Sequence, residues 1–303
     1  MRALVTGSAG FIGTTLCERL AGLGHDVVGL DRRPATGPGR HLQVDLAHPV
    51  SARTIRDLAA DADVIFHLAA RAGVRSDEPG IEALRHRDIV VATDRLLSVV
   101  PGDVRLVVAS SSSVYGGAVR RDGRTRPSAE GDPLLPRGGY ARAKTVMEAH
   151  CRDWARRGRD LLVVRPFTVV GEGQRPDMAV SRWLEAARAG SPLTIFGALE
   201  RTRDVTDVRQ VAEALVHLAD GDHRGTVNLG TGRPRTLEEI TEAVFTAVGR
   251  RTGVEVQPAL DEEVHDTHAD TTRARSLGVV LDTDLVDLVR RQHAHRHHGA
   301  AVA

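Results

Sequence analysis

The chain carries 41 lysine and arginine residues, of which one, Lys144, is lysine and the other 40 are arginine. That lysine stands four residues after Tyr140, one of two tyrosines. Four residues make one helical turn, so phenol and ammonium share a helix face. Such a pair suits proton transfer. Free tyrosine titrates near ~10, so a phenolate at neutral pH requires about 3 units, or roughly 4 kcal/mol at ~1.36 kcal/mol per unit. A fixed ammonium one turn away shifts the phenol in that direction. The alternative, a surface pair on a solvated helix, sits poorly with the rarity of lysine and with the run Ser110-Ser111-Ser112-Ser113-Val114-Tyr115-Gly116. Four consecutive hydroxyls after an apolar run make poor core and good hydrogen-bonding material, and open sheets bind ligands where strands end.

A second run with chemical meaning is Gly7-Ser8-Ala9-Gly10-Phe11-Ile12-Gly13, which follows an apolar stretch and opens a helical pattern. That context suits a dinucleotide fingerprint: the glycines permit a tight turn, close backbone approach to a pyrophosphate and close helix packing, with the helix N-terminus facing the phosphates. Asp31, 18 residues after Gly13, can accept hydrogen bonds from ribose hydroxyls and repels a 2′-phosphate, which favours NAD over NADP. Arg32 and Arg33 pull the other way, since guanidinium groups receive phosphate well. Asp45 either reaches the adenine or caps the next turn.

Positioning these residues requires a parallel sheet. Apolar β-branched runs at 3–6, 26–30, 42–44, 64–68, 104–109 and 161–165 alternate with helical patterns at 11–21, 54–60, 81–100 and 140–156, the signature of βαβ units. After Pro166 the pattern loosens, with a helix expected at 179–189, a strand at 193–196, a helix at 208–219 and a strand at 226–229 that returns to the main sheet. The expected organisation is a doubly wound α/β domain from 1–166 plus about 205–232, and a smaller C-terminal α/β lobe from about 167–204 and 233–303.

Composition narrows the class. The 303 residues are 41% hydrophobic and 27% charged with a formal net charge of +1, which argues against a disordered, collagenous or coiled-coil chain. Nucleic-acid binding is not expected without a basic excess. Cys17 and Cys151 show no CxxC pattern, so neither zinc ligation nor a disulfide framework is expected, and a reducing cytoplasm fits. No segment reaches about 18 apolar residues without a charge, so no membrane span is expected, and the opening residues lack the basic and apolar regions of a signal peptide. The histidines of the closing RRQHAHRHHGAAVA read as a frayed basic tail rather than a metal site.

Together the glycine turn, Asp31, His67-Leu68-Ala69-Ala70, the serine run and YxxxK at Tyr140 resemble the extended short-chain dehydrogenase/reductase family, in its nucleotide-sugar epimerase/dehydratase branch. Arg165-Pro166-Phe167-Thr168-Val169-Val170-Gly171, Gln174-Arg175-Pro176-Asp177-Met178-Ala179, Thr202-Arg203-Asp204-Val205 and Asn228-Leu229-Gly230-Thr231-Gly232 extend the likeness over nearly the whole chain. The resemblance implies a Rossmann-type fold, bound NAD, a nucleotide-sugar substrate and a homodimer formed through the helices at 81–100 and 140–156. For the cofactor it implies contacts from the glycine turn with Phe11 and Ile12, from Asp31, Arg32, Asp45 and Leu46, from Leu68, Ala69 and Ala70, and from Ser110, Tyr140, Lys144 and Pro166. Ser111, four residues before Tyr115, matches the family's catalytic hydroxyl, beside Tyr140 and Lys144.

Ser112 and Ser113 stand where 4,6-dehydratases of the branch carry Asp-Glu and UDP-glucuronate decarboxylases a Glu, which points to epimerisation or ketone reduction. Ala72-Gly73-Val74-Arg75, the serine run and the FTV and QRPDMA segments are similar to UDP-glucuronate 4-epimerases. On that likeness Arg75, Ser111, Ser112, Ser113, Thr168, Arg175, Met178, Phe196 and Arg203 bind substrate, the serines and Thr168 around the uronate carboxylate and Arg203 at the diphosphate. Two departures stand out. Ile89-Val90-Val91-Ala92-Thr93, with Asp88 before it, lacks the usual Asn, and Leu260-Asp261-Glu262-Glu263 replaces the segment that normally supplies a second diphosphate-binding arginine; either that role passes to Arg201 or another arginine, or the substrate is not a standard nucleotide diphosphate sugar. A 4-ketoreductase consuming NAD(P)H, and a catalytically idle dinucleotide-binding protein, are the alternative readings.

Overall fold

The computed structural model describes residues 1–34, 37–71, 73, 78–122, 124–260 and 262–300. Arg2–Thr6 (β1), Asp26–Asp31 (β2), Arg40–Gln43 (β3), Val64–His67 (β4), Arg105–Ala109 (β5), Leu161–Pro166 (β6) and Gly225–Leu229 (β7) form one seven-stranded sheet in the order β7-β6-β5-β4-β1-β2-β3. The pairings of β1 with β2 and β4, β2 with β3, β4 with β5 and β5 with β6 are all parallel. The central strands β4, β5 and β6 are buried along their whole length, as expected of strands covered on both faces. Chain order reverses between β1 and β4, and ligands of such sheets sit beyond the carboxyl ends of strands at that switch.

The helices begin with Phe11–Gly22 (α1) and Ser51–Ala60 (α2). Between β4 and β5 a long helix runs through Ile81–Arg85 (α3), a π-helical stretch His86–Val91 and Ala92–Val99 (α4). The π turn was not legible in the 3.6 periodicity, because one widened turn shifts the register without ending the helix. Gly138–Ala155 (α5) buries Ala141, Met147, Cys151 and Trp154 at helical spacing, and places Lys144 and Glu148 in the same buried stripe. One face of the sheet with α2, α4 and α5 forms a core around Leu4, Ile65, Leu106, Val108, Leu96 and Met147.

Two compact units emerge: residues 1–116, 132–166 and 212–227 in the first, and 117–131, 167–211 and 228–303 in the second. The 117–131 segment, grouped by sequence with the sheet, clusters with the second unit. It forms a hairpin, Val119–Arg121 against Arg124–Arg126, tied through Ala118 and Ser128 to the backbone of Asp266 and His268. The second unit has its own core, in which the helices Ala179–Ala189, Leu237–Val248 and Leu285–Ala300 bury Trp183, Leu184, Ile240, Val244 and Leu288 with the strand pair Leu193–Phe196 and Val254–Gln257. Asp204, fully buried there, accepts the N–H groups of Thr231, Gly232 and Ala269 and the Thr231 hydroxyl, at 2.7 to 3.0 Å.

Candidate active site

At the carboxyl end of β1 the backbone turns at Gly7, where φ is +75°, and its N–H donates to the Leu30 carbonyl at 2.7 Å. A Cβ at Gly7 would lie 2.7 Å from the Ala69 nitrogen and 2.8 Å from the Leu68 carbonyl carbon, so the turn must be glycine to pass the chain leaving β4. A Cβ at Gly13 would run into the Gly7 carbonyl oxygen, and only glycine lets α1 start this close to the strand. Phe11 and Ile12 open α1, half-buried. The helix begins at Gly10 without a side-chain cap or an acidic first turn, which leaves its first N–H groups and positive dipole end for an anion.

Asp31 ends β2 and accepts from the backbone N–H groups of Ala9 (3.1 Å) and Arg33 (2.9 Å), while Arg33 reaches back to the Ala9 carbonyl at 2.7 Å. The carboxylate therefore shapes the glycine turn. Arg32 donates to Asp88 at 2.8 Å. Both arginines that could have received a 2′-phosphate are thus engaged elsewhere. Asp45 caps its own turn through the Ala47 N–H at 2.9 Å and also pairs with Arg87. Leu46 is buried, and Leu68, Ala69 and Ala70 leave β4 half-buried beside the glycine turn. His67, buried between the Thr6 and Thr93 hydroxyls at 2.7 and 2.8 Å, is pushed down to about 3 by burial and then by the Lys144 charge, so it stays neutral.

Beyond β5 the serine run forms a turn. Ser110 is buried, its N–H bonded to the Val164 carbonyl at 2.8 Å. Ser111 caps the 3-10 helix Ser112–Tyr115, its hydroxyl accepting the Ser113 N–H at 3.2 Å, which leaves the hydroxyl proton free to be donated. Among the described residues the buried Ser113 hydroxyl has no hydrogen-bond partner. Ser112 is half-buried. On α5, Tyr140 is half-buried, and Lys144, 2% exposed, donates to the Ala109 carbonyl at 2.7 Å. Burial drives Lys144 down to about 8, against the opposing pull of Cys151 and Glu148. Pro166 closes β6, buried.

Behind the turn lies a group the sequence did not flag. Arg165 is held by Glu148 at 2.9 and 2.7 Å, donates to the Tyr115 hydroxyl at 2.8 Å and stacks over its ring at 4.8 Å. Burial works against the Glu148 charge, yet Arg165 keeps its carboxyl below the usual range. Arg165 and Tyr115 had stood out only within family-like segments, and the local sign of a partner was Glu148 lying four residues after Lys144 on a face otherwise apolar.

The substrate expectations lie in the second unit, apart from the serines and Arg75. Arg75 falls outside the described residues, as do Ala72, Val74 and Asp261. Thr168 is half-buried, its carbonyl accepting the Thr206 N–H at 3.0 Å. Arg175 forks onto Asp177 at 3.0 and 2.7 Å, and Met178 precedes the helix Ala179–Ala189 as its N-cap. Phe196 ends its strand half-buried. Arg203 donates to the carbonyls of Thr202, Val264 and His265 at 2.8 to 3.0 Å, so its guanidinium braces the 264–265 backbone. Leu260 is exposed, and the Nε and Nη1 of Arg201 are buried without partners among the described residues.

The NAD dependent epimerase/dehydratase family matches residues 3–230. The chain is 34% identical over 298 residues to a UDP-glucose 4-epimerase of Mycolicibacterium smegmatis, covering 91% of this chain and 92% of that one. The structure of MoeE5 in complex with UDP-glucuronic acid and NAD is 35% identical, with a TM-score of 0.87 over 99% of this chain and 100% of that one. A UDP-glucuronic acid 4-epimerase from Bacillus cereus, in complex with UDP-glucuronic acid and NAD, is 25% identical, with a TM-score of 0.89 over 98% and 99% of the two chains.

Proposed function

Because this chain belongs to the NAD-dependent epimerase/dehydratase family, we propose that the site is that of an NAD-dependent UDP-sugar 4-epimerase, with UDP-glucuronate as its substrate. The observation that carries the reading is the buried Lys144 one turn from Tyr140, beside a serine turn that holds no carboxylic acid. The glycine cradle at the uncapped start of α1 fits the pyrophosphate of NAD, and Asp31 stands where the ribose hydroxyls need an acceptor. NAD supplies a two-electron acceptor and donor at the sugar's C4. Tyr140 takes the proton of the 4-hydroxyl and later returns it, acting as general base and then general acid. Ser111 donates its free hydroxyl proton to the same oxygen. Lys144 keeps positive charge under the phenolate and so lowers the cost of forming it.

A serine turn suits epimerisation better than elimination, since loss of water from the sugar requires a further acid/base that Ser112 and Ser113 cannot supply. For a uronate, the Ser113 hydroxyl, unpartnered among the described residues, offers with Ser112 neutral donors to the sugar carboxylate. Two of the solved relatives hold UDP-glucuronic acid, which supports the same choice. The test is proton NMR of the anomeric region after mixing the protein with UDP-glucuronate, and separately with UDP-glucose. A new UDP-galacturonate anomeric signal is expected, lost by about 10²- to 10⁴-fold in rate in Tyr140→Phe. Turnover of UDP-glucose alone would refute the uronate assignment and keep the epimerase. Turnover of neither would overturn both.

A further inference from the structure

Four segments of the first unit meet in one ionic assembly: Arg32 beyond β2, Asp45 beyond β3, Arg71 beyond β4, and Arg87 with Asp88 in the π-helical stretch. Asp88 accepts from Arg32 at 2.8 Å, from Arg71 at 2.9 Å and from Arg87 at 2.6 Å, and the other arm of Arg87 pairs with Asp45. Arg71 also reaches Glu78 at 3.3 Å. The Asp88 side chain is 8% exposed, whereas Arg32 and Arg87 are about two-fifths exposed.

Stability alone does not account for this assembly. A pair on a buried carboxylate gains little net stability once the desolvation of its charges is counted, and crowding three guanidinium groups on one carboxylate sets them against one another. What the assembly does is join the loops that follow β2, β3 and β4. Asp31 ends β2 just before the first of these loops, and the other two carry Asp45 and Leu68 to Ala70, so on the cofactor reading they flank the adenosine end of the dinucleotide. On the epimerase reading the enzyme must also return its electrons to the sugar it took them from, so the reduced cofactor has to stay until the cycle closes.

We propose that Asp88 anchors an ionic strap, with Arg32, Arg71, Arg87 and Asp45, that holds the adenosine-side loops shut and sets the rate at which the dinucleotide dissociates. Asp88 is on this account a positioning residue. The inference rests on the cofactor half of the proposed function and is independent of the sugar. Arg87 keeps the Asp45 carboxyl below the usual range although burial opposes its charge, which agrees with a persistent pair.

The experiment loads the full chain with NADH and follows the loss of bound fluorescence after adding excess NAD. In Asp88→Asn the side chain keeps its shape and loses its charge, and the exposed arginines can turn to water. NADH dissociation is expected to become about tenfold faster, the equivalent of ~1.4 kcal/mol. Between ~0.01 M and ~1 M salt the screening length falls from ~30 Å to ~3 Å, and the variant's rate is expected to change less over that range than the parent's. A merely structural aspartate would not alter that salt slope. Arg32→Gln and Arg87→Gln carry the same expectation and serve if Asp88→Asn does not fold. Folded variants with the parent's rate and slope overturn the strap alone. A parent that binds no NADH overturns the cofactor reading and the strap with it.

Discussion

Lys144 is the residue whose surroundings matter most for the chemistry. Its ammonium is placed where solvation cannot help it, and the Ala109 carbonyl at 2.7 Å is its main compensation. With a native value of about 8, the group binds fewer protons in the folded than in the unfolded chain between about pH 8 and its ordinary value of 10.5. Its burial therefore costs stability below pH 8, and that cost is relieved as pH rises through this window. Activity moves the opposite way, because the phenolate loses its supporting charge when the lysine deprotonates. A pH-rate profile should show kcat falling above an apparent pKa near about 8, and a profile that stays level to pH 10 would contradict the role given to Lys144. Legibility at this scale was uneven: the lone lysine at helical spacing from Tyr140 stood out, while Arg165 was one arginine among 40 and nothing local marked it as the buried partner of Glu148.

At the scale of elements, α5, β6 and the serine turn are fastened by Glu148, Arg165 and Tyr115, and α1 meets β1 through two glycines. Removing one partner of a buried ion pair leaves the other charge uncompensated, so Glu148→Ala should lower unfolding stability by about 3–5 kcal/mol in urea denaturation. Replacing both Glu148 and Arg165 with methionine should recover most of that loss. An equal loss in single and double variants would mean that the charges are not the issue. Gly13→Ala forces a methyl against the Gly7 carbonyl oxygen, and overpacking of this kind costs about 1–3 kcal/mol. Calorimetry should find that variant both less stable and unable to bind NAD, since the strain falls on the turn that would cradle the pyrophosphate. Element identities were legible because periodicity of 2 and 3.6 is local. The π turn at His86–Val91 was not, since one widened turn shifts the register without ending the helix, and the basic hairpin at 119–126 carried no alternation to read.

Across the whole molecule, cofactor choice follows from which charges are already spent. Arg33 is committed to the Ala9 carbonyl and to Asp31, and Arg32 to Asp88, which leaves the Asp31 carboxylate facing any 2′-phosphate. Thermal unfolding should therefore shift upward with NAD, by the equivalent of about 2.7 kcal/mol at ~100 times its dissociation constant, and by far less with NADP at equal concentration. Equal shifts would mean that Arg32 and Arg33 exchange partners when the phosphate arrives. No helix among the described residues is long and apolar enough to cross a membrane. By itself the sequence determined the parallel sheet, the glycine turn, the place of Asp31 at a strand end and that of Tyr140 and Lys144 one turn apart on one helix, because each depends on residue type and spacing within one element or one turn. Only the tertiary structure decided that Lys144 is buried, that Asp88 gathers arginines from two loops and its own helix and shares Arg87 with Asp45, and that Arg165 lies behind the serine turn. Burial and ion pairing join residues from strands distant in sequence, and their energies come from the surroundings that folding creates.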